Sequence, residues 1–504
     1  MTTSISKTKR WSLLVTVAAG LLLITLDNSV LYTALPTLTH ELHASATQSL
    51  WIINAYPLVM AGLLLGMGTL GDRIGHRRMF LVGLVLFGIA SLAAAFSPTA
   101  AALIAARAFL AVGAAAMMPA TLALIRVTFE DERERNVAIA VWGSLSVVGA
   151  AIGPIVGGVL LSHFWWGAVF LINVPVVILA FVGTLAFAPQ GTTDRERPWD
   201  LLSSLQALVA LSALVVAIKE LAHAGPSLPL AGSTLALALV AGVLFVRRQA
   251  HLPYPLLDFS IFRNPAFKAG VLAAAFAMFT IGGMQLVTTQ RFQLVAGFSP
   301  LHAGLLVSAV AAGSLPTALL GGLFLHKLGL RVLIAGGLAV AALGAILAPI
   351  ALQHGVGWLV ATMVLNGSGL GAVMAVASSA IVGNVPPERA GMASSVEEVS
   401  YEFGSLIAVA LLGSLLTALY SIGVHLPAGT PDAARESVAQ ALDIAKQGGE
   451  VNAALIDAAS SAYDRSYRFV LWVIAGVLAI GAMVTAVLLR RYGPGSAATM
   501  HTGH

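Results

Sequence analysis

Fourteen stretches of roughly 20 apolar residues follow one another along this 504-residue chain, and a run of that length is what an α-helix needs to cross the hydrocarbon core of a bilayer. They lie near 12–35, 49–70, 79–97, 100–126, 137–161, 167–188, 201–222, 230–247, 267–289, 301–325, 331–351, 357–382, 392–420 and 467–489. No water satisfies backbone groups at that depth, so each run must close its own hydrogen bonds as a helix. Only 10% of the residues are charged against 58% hydrophobic, whereas a soluble domain carries about 25% charged. The chain lacks the polar surface of a soluble enzyme or a nucleic-acid-binding protein, and lipid must be its solvent. Its 50 glycines suit helices that pack closely in a bilayer. It has no cysteine, which excludes disulfides, thiolate metal sites and cysteine nucleophiles. The expected fold is an all-α integral membrane protein with fourteen transmembrane helices.

Lys7, Lys9 and Arg10 precede the first stretch, as in a signal peptide. Asp27 interrupts its apolar run, however, and the parity of the topology requires that it be retained. Lys and Arg concentrate on the cytoplasmic side of membrane proteins. Even-numbered stretches are followed by Arg73, Arg77 and Arg78, by Arg126, Arg133 and Arg135, by Arg195 and Arg197, by Arg247, Arg248 and Arg263, by Lys327 and Arg331, and by Arg389; Arg490 and Arg491 lie in the tail. The connections 36–48, 98–99, 162–166 and 352–356 carry neither Lys nor Arg. Both termini of this multi-pass chain are therefore expected in the cytoplasm. Arg291 breaks the bias, and Lys219 and Glu220 near the outer end of the seventh stretch are read as a pair or as interface residues. The one long outward segment, 423–466, reads as two short amphipathic helices with a turn at Gly448 and Gly449.

The connection Gly68-Thr-Leu-Gly-Asp72-Arg73-Ile-Gly75-His-Arg77-Arg78 after the second stretch has an echo after the tenth, Gly322-Leu-Phe-Leu-His326-Lys327-Leu-Gly329-Leu-Arg331. This suggests two related halves. The expected division is a six-helix bundle over 1–190, a linker over 191–264 with two extra transmembrane helices, and a second six-helix bundle over 265–504 that carries the extracytoplasmic hairpin 423–466. Repeat-built transporters hold their substrate between such halves, near the bilayer midplane.

Of the 22 acidic residues, those at membrane depth are Asp27, Glu397, Glu398 and Glu402, with Glu220 marginal. Ionisable groups in hydrocarbon are costly and mark functional sites. Asp27 lies roughly 22 Å along the first helix, and its plain alternative role is a buried aspartate bonded to its neighbours. Glu398 and Glu402 share a helix face, while Glu397 turns away towards the cytoplasmic end, where solvation alone is expected. A carboxylate that holds either a proton or a cation, but not both, is a minimal exchange device. Arg107 is the basic residue deep in a span. Gly149, Gly153 and Gly157 form a smooth stripe, a common packing face, and Pro154 adds a kink point. Trp51, Tyr56, Trp142, Phe276 and Tyr401 could stack on a lipophilic cation, although each also suits core packing or interface anchoring. No Gly-x-x-x-x-Gly-Lys-Ser/Thr loop occurs, so ATP is not the expected energy source. No His-Glu-x-x-His string and no histidine pair at ligand spacing points to an enzyme or a metal, and no cofactor is expected. A membrane-embedded enzyme, a sensor and a metabolite importer remain as alternatives.

The connection from Gly68 to Arg78 resembles the signature loop of the major facilitator superfamily, and Gly149-Ala-Ala-Ile-Gly153-Pro154-Ile-Val-Gly157-Gly158 is similar to the antiporter motif of its fourteen-span drug:proton branch. Leu26-Asp27, Ala34-Leu35-Pro36 and Phe170-Leu-Ile-Asn173-Val-Pro175 also look like this branch, and Gly391-Met-Ala-Ser-Ser-Val-Glu397-Glu398 resembles the acidic cluster of its quaternary-ammonium biocide exporters. Arg107 resembles the intramembrane arginine of a second motif, with Ala111 where a glycine is usual. The resemblance implies proton-coupled multidrug efflux of lipophilic cations by alternating access. Asp27, Glu397, Glu398, Glu402 and Arg107 would serve coupling or substrate binding. Gly68, Asp72, Arg73, Gly75 and Arg77 would form a conformational gate, with Asp72 meeting a helix N-terminus or the helix of Arg107. The implied partners are small cationic molecules, protons and the bilayer, and a monomer is expected, though no residue decides oligomeric state. Where these exporters carry further carboxylates, this chain has Asn54 and Ser314. Glu398 and Glu402 would then be the only pair available to substrate charge, which predicts a preference for monovalent cations.

Overall fold

In a computed structural model of the full chain, residues 6–129, 131–189, 199–221, 226–385, 390–446 and 452–492 are described. Arg195, Arg197, Arg389, Gly448 and Gly449 lie outside them, as does the side chain of Arg133. The first half comprises α1 (Lys7–Glu41), α2 (Ala46–Ile74), α3 (His76–Ala95), α4 (Ala100–Thr128), α5 (Glu132–His163), and the broken sixth span α6 (Ala168–Leu171) and α7 (Asn173–Phe187). Two further helices follow, α8 (Leu201–Leu221) and α9 (Leu228–His251). The second half contains α10 (Pro265–Gln290), α11 (Pro300–Arg331), α12 (Gly337–Ala351), α13 (Val356–Val382), α14 (Ala390–Ala408) continued by α15 (Ser414–Gly423), the short α16 (Val438–Lys446), and α17 (Ala453–Leu488). Thirteen spans are long and apolar enough to cross a membrane among the described residues. The fourteenth is α5, 32 residues long, whose later part Val148–His163 is apolar. All fourteen expected spans therefore have a helix, and the chain is a multi-pass membrane protein.

Local chemistry explains the boundaries. Ser45 and Gln48 form a capping box at the start of α2, and Pro265 and Pro300 open α10 and α11 behind capping Asn264 and Ser299. Gly75 turns α2 into α3 with φ of 95°, and Gly329, its counterpart in the echoed connection, has φ of 76°. Side chains rarely tolerate that region. The echo thus preserves the glycine the turn demands, even where Asp72 and Arg73 have become His326 and Lys327.

Two apolar cores form, one running from Leu13 to Ala188 and one from Ala266 to Leu489. The helices α8 and α9 lie outside both. Leu208 of α8 packs tightly on Gly62 of α2, and Val215 joins Leu58 of α2 with Leu406 and Ala410 from α14 and its continuation. So α8 lies across the seam between the halves. Asp200 and Arg248 (3.0 Å), with Ser203 and Gln249 (2.6 Å), tie α9 to it.

Three expectations need correction. The second arm of the outward hairpin is the start of α17, which runs unbroken through the last span; the first arm is α16, and Tyr420 anchors the intervening chain through the Ala434 carbonyl at 2.9 Å. Lys219 and Glu220 do not pair: the Lys219 ammonium stands 4.3 Å from the Trp51 ring centre, while Glu220 accepts from the Ser227 N–H at 2.7 Å. Arg291 is no stray charge, because Asp464 receives it in two hydrogen bonds of 2.9 and 3.1 Å.

Candidate functional site

Asp27 on α1 and Arg107 on α4 are almost fully buried, at 2% and 0% exposure, and they form an ion pair between Oδ2 and Nη1. Asn173, at the break between α6 and α7, donates its Nδ2 to Asp27 Oδ1 at 2.7 Å and lies 3.3 Å from Ser91 Oγ. Arg107 Nε donates to the Ile52 carbonyl at 3.4 Å, and the guanidinium sits 4.6 Å from the Tyr56 ring centre. A buried ion pair survives desolvation only when further hydrogen bonds satisfy it. α2 and α7 supply part of them here, while Arg107 Nη2 has no hydrogen-bond partner among the described residues. Asn173 was quoted only as part of a family likeness; its signal as a partner is an amide in an apolar span, at the point where the helix breaks.

Neither Asp27 nor Arg107 reaches the central cavity, which has a volume of about 180 Å³ and lies between the halves. Its walls include Asn28, Ser29 and Tyr32 of α1, Trp142 of α5, Gln285 of α10, Ser314 of α11, and Glu398, Tyr401, Glu402 and Ser405 of α14. Adjacent positions on α1 therefore serve different places, Asp27 the charge centre and Asn28 the cavity. Among the described residues, Glu398 and Glu402 are the only Asp, Glu, Lys or Arg side chains lining it, and Glu402 Oε2 has no hydrogen-bond partner. The Tyr32 and Ser405 hydroxyls, 3.0 Å apart, join α1 to α14 across the seam. Met60, Met118, Met278 and Met374 add a soft, adaptable surface. Sequence reasoning missed all four, since nothing distinguishes them from the other methionines of a 13-methionine chain.

Several proposed contacts fall elsewhere. Glu397 is not solvated but 8% exposed, accepting from the Tyr401 hydroxyl at 2.8 Å, and it does not line the cavity. Of the aromatic residues, Trp142 and Tyr401 line it. Trp51 and Tyr56 are instead occupied by Lys219 and Arg107, and Phe276 packs on Gly481 of α17. Asn54 is fully buried outside the cavity with neither polar atom partnered among the described residues, whereas Ser314 does face it.

The glycines of α5 explain its position. Gly149, Gly153 and Gly157 leave no room for a Cβ against Thr25, Ser29 and Val30 of α1, and Ser29 Oγ donates to the Gly149 carbonyl at 3.2 Å. On another face, the Pro154 carbonyl abuts Gly304 and Gly158 abuts Leu301, both on α11. One helix thus touches the charged helix of its own half and the partner half together. The expected loop is a one-residue turn at Gly75 between α2 and α3: Asp72 Oδ1, in the last turn of α2, lies 3.1 Å from Nε2 of His76, the first residue of α3, and Arg77 Nη2 of α3 donates to the Leu185 carbonyl of α7 at 2.8 Å. Arg73 is exposed, and Gly68 faces Pro119 of α4 and Ser395 of α14.

Twelve spans in two packed sets around a central cavity, with two further helices outside them, find matches among known proteins. The model of the Major Facilitator Superfamily matches residues 17–299 and 271–502. The chain belongs to that superfamily. Relatives include the methyl viologen resistance protein SmvA of Salmonella typhimurium, 39% identical over 84% of this chain and 85% of that protein. The multidrug efflux pump LfrA of Mycolicibacterium smegmatis is 38% identical over 97% and 98%, and the tetracenomycin C resistance and export protein of Streptomyces glaucescens 34% over 81% and 76%. Among solved structures, a bacterial homologue of the human lysosomal transporter Spinster, inward-facing and occupied, shares the fold with a TM-score of 0.68 at 17% identity, covering 97% of this chain and 98% of that one.

Proposed function

We propose that this superfamily member exports lipophilic cations from a bacterial cell in exchange for protons. Its relatives' names, multidrug efflux and resistance, support drug export. The cationic class rests on one observation, Glu398 and Glu402 as the paired carboxylates of a cavity that no Lys or Arg lines among the described residues. A bare cation in such a place pays several kcal/mol in lost hydration unless a negative group receives it. Proton and cation compete for these carboxylates, so each leaves as the other binds, and the proton gradient drives the cation outward. A second positive charge needs its own counter-charge, so one carboxylate pair favours monovalent ethidium and benzalkonium over rigid dications such as methyl viologen.

The cavity is smaller than the roughly 300–1,000 Å³ of drug-sized sites, and it widens as the halves 1–190 and 265–504 rock about the seam. The α5 motif and the Gly68–Arg77 loop act as its bearing and latch, Asp27 with Arg107 relays protonation to the movement, and 191–264 contributes the seam-covering pair. The protein works as a monomer in the cytoplasmic membrane with both termini in the cytoplasm. Ethidium efflux from everted vesicles tests the exchange. An imposed proton gradient should drive ethidium transport and ethidium should dissipate the gradient; transport indifferent to the gradient overturns proton coupling.

A further inference from the structure

The outward end of the second half carries a groove separate from the central cavity. From Phe469 to Leu489 the chain has no charged residue, a length of about 30 Å at 1.5 Å per residue, which matches the hydrocarbon core. Arg468 therefore stands at one membrane boundary and Arg490 at the other. Arg465 lies one turn beyond Arg468, on the same face of α17. Beside them is a groove of about 370 Å³, walled by Pro349, Ile350 and Gln353 at the end of α12 and by Arg465, Arg468, Phe469 and Trp472 of α17. Ile350, Phe469 and Trp472 are 46%, 51% and 47% exposed, so the floor of the groove faces the lipid.

Among the described residues no carboxylate neutralises these two arginines. Asp464 is engaged by Arg291 through both carboxylate oxygens. Arg465 Nη2 donates to the Gly423 carbonyl at 3.0 Å, and Arg468 Nε to the Asp464 carbonyl at 3.4 Å. Those bonds leave further N–H groups free on both side chains, and among the described residues no carboxylate pairs with either. Most other basic residues gather at the end of the bundle that carries the termini, and Arg291 and Arg435 at this end have Asp464 and Asp432 as partners. Two guanidiniums left unneutralised at the opposite end, above an apolar aromatic floor, match a ligand with an anionic head and a hydrocarbon tail. Guanidinium forks suit phosphate oxygens, and aromatic residues suit the interfacial depth.

We propose that this groove binds an anionic phospholipid, with its headgroup phosphate between Arg465 and Arg468 and an acyl chain along Ile350, Phe469 and Trp472. A free phosphate would use the arginines but leave the apolar floor without a role, so the lipid is the occupant the groove fits.

The test uses the full chain purified in a neutral detergent and titrated with phosphatidylglycerol, phosphatidylcholine or inorganic phosphate, following thermal midpoint and tryptophan fluorescence with brominated acyl chains. Phosphatidylglycerol should raise the midpoint and quench a component that Trp472→Phe removes, phosphatidylcholine should do so only at much higher concentration, and inorganic phosphate should do neither. Arg465→Gln with Arg468→Gln should raise the half-saturating phosphatidylglycerol concentration about 25-fold, roughly fivefold per arginine at an anionic surface. Arg435→Gln, elsewhere on the same end, should leave it unchanged. Should the double variant fail to fold, native mass spectrometry of wild type and Arg468→Gln alone gives the same comparison through the number of retained lipids. Equal response to the two lipids, an unchanged titration in the arginine variants, or equal protection by inorganic phosphate would overturn the proposal.

Discussion

Asp27 in the first half and Glu402 in the second are both carboxylates at membrane depth, yet their surroundings differ. Asp27 has an arginine on one oxygen and an asparagine on the other, and it is closed off from the cavity. Glu402 faces the cavity with one oxygen unpartnered among the described residues. A carboxylate whose bonds are all supplied by the protein is part of the scaffold, and exchanging it for another group breaks the network. One left without partners is completed from outside, by a proton or by a cation. Under the proposed function, Asp27 would hold charge within the protein and Glu402 would offer it to the cavity.

The largest effect that would sharpen this contrast comes from Asp27→Asn, which leaves the Arg107 guanidinium buried without its counter-charge. Removing one partner of a buried pair costs roughly 3–5 kcal/mol, so membrane abundance and thermal midpoint should both fall, along with gradient-driven efflux. Adding Arg107→Gln should restore abundance but not transport. Normal gradient-driven export in Asp27→Asn would break the comparison at once.

Glu402→Gln should behave oppositely. It removes a carboxylate with no ion-pair partner in direct contact among the described residues, so stability should hold or rise while ethidium efflux falls at least tenfold; a stability loss as large as that of Asp27→Asn would show that Glu402 belongs to the scaffold too.

A smaller effect separates two positions that sequence comparison treated alike. Ser314 faces the cavity and Asn54 does not. Ser314→Asp should widen resistance towards dications such as methyl viologen, whereas Asn54→Asp should lower abundance without changing the profile, because its charge would be buried in the first half's packing. Paired resistance profiles against mono- and dications read the outcome. If wild type already exports both equally, carboxylate number does not set the range.

The smallest effect concerns a charge away from both sites. Burial alone would raise the Asp200 carboxylate, but hydrogen bonds from Arg248 and Ser203 outweigh it and hold the group below the usual carboxylate range. A depressed folded-state value means that its contribution is complete above the ordinary range near pH 4 and is lost as pH falls through the lower folded value. Asp200→Asn should therefore lower the thermal midpoint slightly at pH 7 and not at all at the acidic end; a pH-independent difference would rule out the charge as the cause.

Hydrophobic length and charge bias in the chain alone were enough to place fourteen helices, because the bilayer imposes one period and one polarity on every crossing. The same economy made the buried acids legible: where charge is so scarce, Asp27, Glu398 and Glu402 stand out. The echoed connection was readable because Gly75 and Gly329 meet a backbone demand that only glycine meets easily.

Only the tertiary structure decided which buried groups meet. Asp27 and Asn173 are 146 residues apart, and nothing local to either names the other. Whether Trp51 and Tyr56 met a ligand or a cation of the protein depended on the rotation of α2 against α4 and α8. Asn28 and Asp27 are neighbours in the chain, but one turns to the cavity and the other to Arg107, a difference of about 100° about one helix axis. Spacing along a chain fixes which residues share a face; the packing of fourteen helices chooses what each face sees.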